Sequence, residues 1–120
     1  MAYQRPILVY EQDRSVLASL EFALALEGYR VLDGTSAGAN PRGAACLIIE
    51  QRHGASGGLA LLAQLRAGGC NTPTVLMATN PTRSTRKLAD AAGVPLIEKP
   101  LLNNDLTQAL RSVLRQKEAV

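Results

Sequence analysis

The stretch "CLIIEQRHG" (residues 46–54) decides the fold of this 120-residue chain. Four apolar residues, Cys46 to Ile49, run directly into Glu50, and Arg52 lies two positions further on. An apolar run of this length is typical of a strand that is buried on both faces, as in a parallel sheet covered by helices. Because ligands bind beyond the carboxyl ends of parallel strands, a carboxylate at the end of such a strand indicates a functional site.

Strand-like and helix-like segments alternate on both sides of this stretch. Strands are predicted at 6–10, 29–33, 45–50, 73–79 and 95–99. Helices are predicted between Asp13 and Gly28, over 58–67, over 82–92 and from Asn104 onward. The segment 34–44 is rich in Gly, Ser, Asn and Pro and has almost nothing with which to bury a helix face. It predicts a loop or one distorted turn in place of a second helix.

This alternation predicts an α/β fold in three layers, with a doubly wound parallel sheet of flavodoxin-like (βα)5 type and the strand order 2-1-3-4-5. We expect a single domain over residues 1–120, with the second helix short or missing. Asp13 is predicted to cap the first helix. In the helix over 82–92, Leu88 and three alanines are the residues available to face a core.

The composition is that of a globular domain, with 47% apolar and 19% charged residues. No apolar run approaches the roughly 20 residues that cross a membrane, and the first residues lack a secretory pattern. Cys46 and Cys70 have neither CxxC nor metal-ligand spacing, so we expect buried free thiols. These features predict a cytoplasmic protein without a membrane partner.

The net charge of +3 does not by itself indicate a nucleic-acid surface. The basic residues are scattered, their closest cluster is Arg83, Arg86 and Lys87, and aromatic residues make up 3% of the chain. Nucleic-acid surfaces usually combine a denser basic stripe with aromatic side chains for stacking. Direct nucleic-acid binding is therefore not expected.

Polar residues follow nearly every central strand of the predicted sheet. Glu11 and Gln12 follow the first strand, Glu50 ends the third, and Thr79 and Lys99 end the fourth and fifth. Because the carboxyl ends of parallel strands meet at one edge, we expect these side chains to lie together where the strand order reverses.

Along essentially its whole length the chain resembles the receiver domain of bacterial response regulators, the CheY-like superfamily. The resemblance rests on the segments "ILVYEQD", "EGYRVLDG", "CLIIE", "GGLALLAQLRA", "PTVLMAT" and "IEKPLLNNDLTQAL". The most specific piece is "EKPL" (98–101), a Lys-Pro after a short apolar strand. In that family a phosphoryl group is transferred to an aspartate at the end of the third strand, and acids after the first strand help to hold Mg²⁺.

The site departs from the family's pattern. Thr79 and Lys99 match the hydroxyl and ammonium positions that contact phosphoryl oxygens, but Glu50 stands in place of the phosphoacceptor aspartate. Glu11 and Gln12 replace the acidic pair, which leaves Glu11 and Glu50 as the candidate metal ligands. Compared with an aspartate, a glutamate shifts its carboxylate oxygens by about one C–C bond. In-line attack requires the reacting atoms to lie about 3–3.5 Å apart. Since Mg²⁺ demands near-octahedral oxygen coordination, losing a carboxylate at Gln12 predicts that no cofactor is held.

These departures predict an atypical receiver (a pseudo-receiver) that acts as a phosphorylation-independent signalling and protein-interaction module in a two-component-type pathway and is not an enzyme. The expected partner is a signalling protein, either a histidine kinase or an output protein. The resemblance places the contact surface, and an alternative homodimer interface, on the helix over 82–92, the fifth strand and the last helix. Its candidate residues are Arg83, Arg86, Lys87, Leu96 and Glu98.

Two details of the site stay open at this point. Arg52 either folds its guanidinium toward Glu11 and Glu50, as a tethered replacement for the metal, or points into solvent. Glu50 either reaches Lys99 and partly imitates a phosphoryl group, with one negative charge against nearly two, or simply neutralises Lys99. His53, the only histidine of the chain, is expected on a surface loop.

Two rival functions also fit the sequence. The first is a phosphorylatable receiver with Mg²⁺-dependent phosphotransfer to Glu50. The second is a flavodoxin-like small-molecule-binding module, because the glycines of "GASGGL" (54–59) precede a helix N-terminus, which favours anions. Neither the Walker A pattern nor the dinucleotide-binding glycine pattern is present, so the second rival rests on loop glycines alone.

Overall fold

The computed structural model describes residues 5–52, 57–99 and 105–118. These residues form a five-stranded parallel sheet with the order β2-β1-β3-β4-β5. Its strands are β1 (Ile7–Tyr10), β2 (Val31–Asp33), β3 (Cys46–Glu50), β4 (Thr74–Ala78) and β5 (Leu96–Glu98), and its helices are α1 (Arg14–Leu26), α2 (Gly58–Ala67), α3 (Arg83–Ala92) and α4 (Asp105–Glu118). The predicted doubly wound fold and strand order are confirmed. Among the described residues, no helix is both long and apolar enough to cross a bilayer.

The three central strands are buried along their whole lengths, which is why each reads as a continuous apolar run. Their side chains alternate between two cores, as the period of a strand requires. In β3, Cys46 and Ile48 pack with α1 and α4, whereas Leu47 and Ile49 pack with α2 and α3. The helices thus cover the two faces of the sheet, and the polar residues that follow the strands lie beyond its carboxyl edge.

The ends of α1 follow the sequence signals. The carboxylate of Asp13 accepts hydrogen bonds from the backbone N–H groups of Ser15 (3.0 Å) and Val16 (3.3 Å). This cap satisfies donors that the first turn of a helix leaves without partners. Beyond the other end, Gly28 takes a φ of 95°, which side chains with a Cβ rarely allow. The predicted cap Asn104 lies outside the described residues.

The connection between β2 and β3 contains one 3-10 turn, Pro41–Gly43, and no α-helix among its described residues. The Asn40 side chain accepts a hydrogen bond from the backbone N–H of Arg42 at 3.1 Å. The turn is fastened to its neighbours, because the Thr72 hydroxyl donates to the carbonyl of Pro41 at 2.6 Å and the Arg42 guanidinium donates to the carbonyl of Gly68. The prediction that the second helix is short or missing is therefore confirmed.

The prediction of which α3 residues face the core is wrong at Leu88. Leu88 is 56% exposed, whereas Ala89 is buried and Ala92 packs against the same core. Ala89 and Ala92 lie three positions apart and share one face of the helix. Leu88 is rotated by about 100° from Ala89, so it points away from that face. Small side chains therefore make the contact between α3 and the sheet.

Both cysteines are buried free thiols, as predicted. Cys46 lies inside β3, and burial raises the pKa of its thiol to about 12. A thiol with such a pKa is protonated at neutral pH and is a poor nucleophile. Cys46 therefore acts as a small apolar residue of the core.

Candidate functional site

The six residues predicted for the site line one pocket of about 320 Å³ at the carboxyl ends of the strands. They are Glu11, Gln12, Glu50, Arg52, Thr79 and Lys99, and Asp13 joins them. Their positions follow from the topology, because each lies at or just beyond the end of a parallel strand. Glu11 and Lys99 come into direct contact although they are 88 positions apart in the chain.

Lys99 lies at the centre of the pocket. Its ammonium Nζ is 2.7 Å from Glu11 Oε1 and 3.8 Å from Glu50 Oε2. Its backbone N–H donates to the carbonyl of Ala78 at 2.8 Å, which holds it beside the end of β4. The Lys99 side chain is 17% exposed, and the two glutamate side chains are 4% and 5% exposed. The three charges form a mostly buried cluster with two carboxylates and one ammonium, hereafter the Glu11–Lys99–Glu50 cluster.

Both carboxylate oxygens of Glu11 are engaged. Oε1 accepts the hydrogen bond from Lys99, and Oε2 accepts one from the backbone N–H of Asp13 at 3.1 Å. Glu11 is therefore held from two directions, by a charged side chain and by the start of the connection to α1. Charge-assisted hydrogen bonds of this kind are the strong ones in proteins.

Asp13 is the pocket residue that the sequence interpretation assigned to helix capping alone. Its pKa is lowered, first by a hydrogen bond from the Ser15 hydroxyl and then by the backbone N–H groups of Val16 and Ser15, with a smaller contribution from the charge of Lys99. Its carboxylate therefore serves the first turn of α1. The sequence contained a signal that Asp13 also lines the pocket, because Asp13 directly follows Glu11 and Gln12.

Glu50 is only partly satisfied. Its Oε1 accepts a hydrogen bond from the backbone N–H of Arg52 at 3.3 Å. Its Oε2 is buried and has no hydrogen-bond partner among the described residues. The ammonium of Lys99, 3.8 Å from this oxygen, lies beyond hydrogen-bonding distance. Because buried polar atoms are nearly always paired, Glu50 Oε2 is the least satisfied atom that the pocket presents.

Gln51 and Gly58 fix the chain beyond Glu50, and the sequence interpretation gave Gln51 no role. The backbone N–H of Gln51 donates to Met77 at 2.8 Å, and its carbonyl accepts from Gly58 at 2.8 Å. Its side-chain oxygen accepts from the N–H of Leu59 at 3.0 Å, at the start of α2. A Cβ on Gly58 would lie 2.6 Å from the carbonyl oxygen of Glu50. Only glycine therefore lets α2 begin this close to the end of β3.

Gln12, Arg52 and Thr79 form the exposed rim of the pocket. Among the described residues, Arg52 makes no ion pair with either glutamate, and the cation between those two carboxylates is Lys99. Thr79 follows β4 directly and precedes Asn80, whose φ of 46° is in the left-handed region. Asn tolerates that region better than most residues, so the chain turns sharply after Thr79. His53 lies outside the described residues.

The residues predicted for partner binding lie around α3 and β5. Arg86 on α3 forms an ion pair with Glu98 on β5. Arg83, Lys87 and the half-buried Leu96 line a groove beside them. These five residues therefore share one surface, which is separate from the pocket that holds Lys99.

No family model matches the chain, and no curated protein matches it significantly. Solved structures do match. The response regulator receiver domain protein (CheY-like) from Methanospirillum hungatei JF-1 aligns with a TM-score of 0.83 and 20% identity over 98% of each chain. A response regulator receiver domain protein from Clostridium thermocellum aligns with a TM-score of 0.83 and 19% identity over 96% of this chain and 98% of that one. The signal receiver domain of a modulated diguanylate cyclase from Desulfovibrio desulfuricans G20 aligns with a TM-score of 0.77 and 21% identity over 98% of each chain.

In each comparison the similarity extends over nearly the full length of both aligned chains, at identities of 19–21%. These comparisons agree with the five-stranded parallel sheet and its strand order. The chain therefore has the fold of the response regulator receiver (CheY-like) domains.

Proposed function

We propose that this chain is a pseudo-receiver, a phosphorylation-independent protein-interaction module that acts in the cytoplasm in a two-component-type pathway and is not itself an enzyme. The observation that carries this proposal is the Glu11–Lys99–Glu50 cluster, in which the ammonium lies 2.7 Å from one carboxylate and 3.8 Å from the other. Phosphoryl transfer needs positive charge at the transferred group. Here the nearest cation, the ammonium of Lys99, already forms ion pairs with Glu11 and Glu50.

The donor set fits Mg²⁺ poorly. Both oxygens of Glu11 are occupied by Lys99 and by the N–H of Asp13. Gln12 supplies a neutral amide where a second carboxylate would be needed. Mg²⁺ requires near-octahedral oxygen ligands at about 2.0–2.1 Å, so binding would first have to break the contact between Lys99 and Glu11. We therefore propose no metal cofactor.

Glu50 is poorly suited to accept a phosphoryl group. Its Oε1 is held by the backbone N–H of Arg52, and its longer side chain shifts Oε2 by about one C–C bond relative to an aspartate. In-line attack tolerates little displacement, because the reacting atoms must lie about 3–3.5 Å apart. Glu50 instead places one permanent negative charge in the pocket, against nearly two on a phosphoryl group. The domain is thus proposed to remain in one signalling state.

The proposed contact surface is the face made by α3, β5 and α4. It carries Arg83, Arg86 and Lys87 on one helix, next to Leu96 and Glu98 on the edge strand. The proposed partner is a signalling protein, either a histidine kinase or an output protein. A homodimer through the same face is the alternative assembly.

The first test is an amide NMR titration of the whole chain with Mg²⁺, followed by beryllofluoride. We expect no saturable shifts near Glu11, Glu50, Thr79 and Lys99. A Gln12→Asp/Glu50→Asp variant is the matched control, because it restores the carboxylates of an ordinary receiver and is expected to respond. Saturable shifts in the unmodified chain that spread to α3 would contradict the proposal.

A second candidate is a receiver that is phosphorylated on Glu50. It is favoured by the unpartnered Oε2 of Glu50 and by the presence of Thr79 and Lys99 beside it. Its test is incubation with acetyl phosphate and Mg²⁺, followed by intact-mass measurement. We expect no adduct. A single phosphoryl adduct that requires Mg²⁺ and disappears in Glu50→Gln would establish this candidate instead.

A further inference from the structure

The first helix, α1, is apolar on two opposite sides. Its buried side consists of Leu17, Leu20 and Leu24, which pack in the core under the sheet. Phe22 lies two positions, or about 200°, from both Leu20 and Leu24, so it points away from the sheet. Phe22 is 69% exposed, and Leu26, one helical turn further on, is 73% exposed. Among the described residues these are the two most exposed large apolar side chains.

The exposed side of α1 is an uncharged surface, hereafter the α1 strip. It places small residues around the two large ones and consists of Ala18, Ser19, Phe22, Ala25 and Leu26. Glu21 is the one charged residue between Arg14 and Glu27. It is rotated by about 100° from Phe22, so it lies beside the strip. Because a helix that is apolar all round is usually buried on all sides, the α1 strip is a surface for a partner.

The charges at the two ends of α1 are already paired within the chain. Arg14 forms an ion pair with Asp33 at 3.1 Å, and Glu27 forms one with Arg111 at 3.3 Å. The strip between them offers a partner no charge of its own. A charged surface that covered the strip would lose hydration without gaining an ion pair there. The occupant that fits the strip is therefore itself uncharged and apolar.

The α1 strip meets this condition for a second copy of itself. When two α1 helices pack antiparallel across a two-fold axis at Phe22, residues at equal distances on either side of Phe22 face each other. Leu26 then faces Ala18 of the second copy and Ala25 faces Ser19, so the large side chain meets a small one. A two-fold interface is self-complementary, and a charge at its centre would meet the same charge on the other copy. The strip lacks such a charge.

We propose that this chain self-associates through the α1 strip, as an antiparallel pair of α1 helices related by a two-fold axis. The two phenylalanine rings meet at that axis, where offset or edge-to-face contact between aromatic rings is favourable. The strip is about 12 Å long, so the contact is smaller than the roughly 1,200 Å² of a small specific interface and the dimer is weak. This inference does not depend on the proposed function, because α1 and α3 cover opposite faces of the sheet.

The test is sedimentation velocity of the whole chain, together with amide NMR spectra, at protein concentrations from about 20 μM to about 1 mM. We expect the sedimentation coefficient to rise with concentration, and the amide shifts that accompany it to be centred on residues 18–26. Since the contact is apolar, added salt should not weaken it. A dimer through the charged residues of α3 and β5 would instead be weakened by salt.

One substitution in the strip and one beside it make the test specific. Phe22→Glu places two like charges at the axis and should weaken self-association by at least about tenfold. Glu21→Gln is the matched control, because it changes the net charge by the same amount, one position away and outside the strip. It is expected to leave self-association unchanged. Both residues are exposed, so both variants should keep the circular dichroism and the urea midpoint of a folded chain.

A double variant tests the orientation of the two helices. In Ala18→Glu/Leu26→Lys, antiparallel packing brings each new carboxylate opposite a new ammonium of the second copy. The double variant should therefore self-associate more tightly than Ala18→Glu or Leu26→Lys alone, and its association should weaken with salt. Parallel packing would bring like charges together and give the opposite order.

A chain that stays monomeric up to about 1 mM would overturn the inference. A dimer that Phe22→Glu leaves intact, amide shifts centred on α3, or a double variant no tighter than the single ones would also overturn it. These outcomes are independent of the Mg²⁺ and beryllofluoride titration. A monomer with a silent pocket removes this inference alone, whereas a dimer with a responsive pocket removes the proposed function alone.

Discussion

Replacing Lys99 with methionine removes the ammonium of the Glu11–Lys99–Glu50 cluster and keeps most of the apolar stem of the side chain. Removing one partner of a buried ion pair typically costs about 3–5 kcal/mol, because it leaves an uncompensated buried charge. The Lys99 side chain is 17% exposed, so solvent in the pocket screens part of this effect. We expect Lys99→Met to lower the free energy of unfolding by about 2–3 kcal/mol.

The two distances predict how this loss divides between the glutamates. Coulomb attraction falls inversely with distance, so the 3.8 Å contact with Glu50 has about seven-tenths of the attraction of the 2.7 Å contact with Glu11. The Glu11 contact is also a hydrogen bond, whereas the Glu50 contact is not. We expect a coupling energy of about 2 kcal/mol between Lys99 and Glu11, and of about 1 kcal/mol or less between Lys99 and Glu50.

The assay is urea unfolding of the unmodified chain, the single variants Lys99→Met, Glu11→Gln and Glu50→Gln, and the two double variants that contain Lys99→Met. The two double-mutant cycles give the coupling energies directly, provided that the m-values agree. Lys99→Arg serves as the variant that retains the charge, and it should lose less stability than Lys99→Met.

A coupling to Glu50 equal to or larger than that to Glu11 would refute this reasoning. Lys99 would then bind Glu50 directly in solution, as in a domain that imitates the phosphorylated state. A loss below about 1 kcal/mol in Lys99→Met would also refute it, because such a value is typical of exposed pairs.

Three further predictions concern stability and reactivity. Gly58→Ala should destabilise the chain by about 2 kcal/mol in urea unfolding, because its Cβ would overlap backbone atoms, whereas Gly38→Ala, with nothing within 4 Å, should change stability by less than about 0.5 kcal/mol. Hydrogen bonds from Thr35 lower the folded-state pKa of Asp33 below 3.8, so their stabilisation is present above that value and is lost as pH falls through the folded pKa. Urea midpoints measured from about pH 5 down to about pH 2 should therefore fall less steeply for Asp33→Asn, and an equal slope would contradict this assignment. Cys46 should react with a thiol reagent only as fast as the chain unfolds, because its side chain is buried. Rapid labelling under native conditions would show that the thiol of Cys46 is accessible to the reagent in the folded chain.

The fold was predictable because its strongest signals are local. The run from Cys46 to Ile49 belongs to a strand buried on both faces, so it cannot be mistaken for an alternating surface strand. Asp13 and Gly28 mark the ends of α1 by their own chemistry, and both act as the sequence indicates. The missing second helix was equally visible, because the segment 34–44 has almost nothing with which to bury a helix face.

The remaining features depend on distances that a sequence does not contain. Proximity of Lys99 to the pocket follows from strand order, but its closer contact with Glu11 than with Glu50 depends on side-chain rotamers and on the N–H of Asp13. The outward position of Leu88 likewise depends on how α3 rotates against the sheet. The residues of α3 that pack on this core are Ala89 and Ala92. Tertiary packing thus decided what apolar content alone did not.

The described connection between β2 and β3 contains a single 3-10 turn, so no α-helix of that connection covers the edge strand β2. β2 has three residues, none fully buried, and lies at the edge opposite β5 and Lys99. Amide protons in β2 and in residues 34–44 can therefore exchange with solvent through local opening, whereas those in β1, β3 and β4 require the whole domain to unfold. Opening of β2 breaks its pairing with β1 and leaves the pairing of β1, β3, β4 and β5 in place, and the residues of the Glu11–Lys99–Glu50 cluster lie at the ends of those strands.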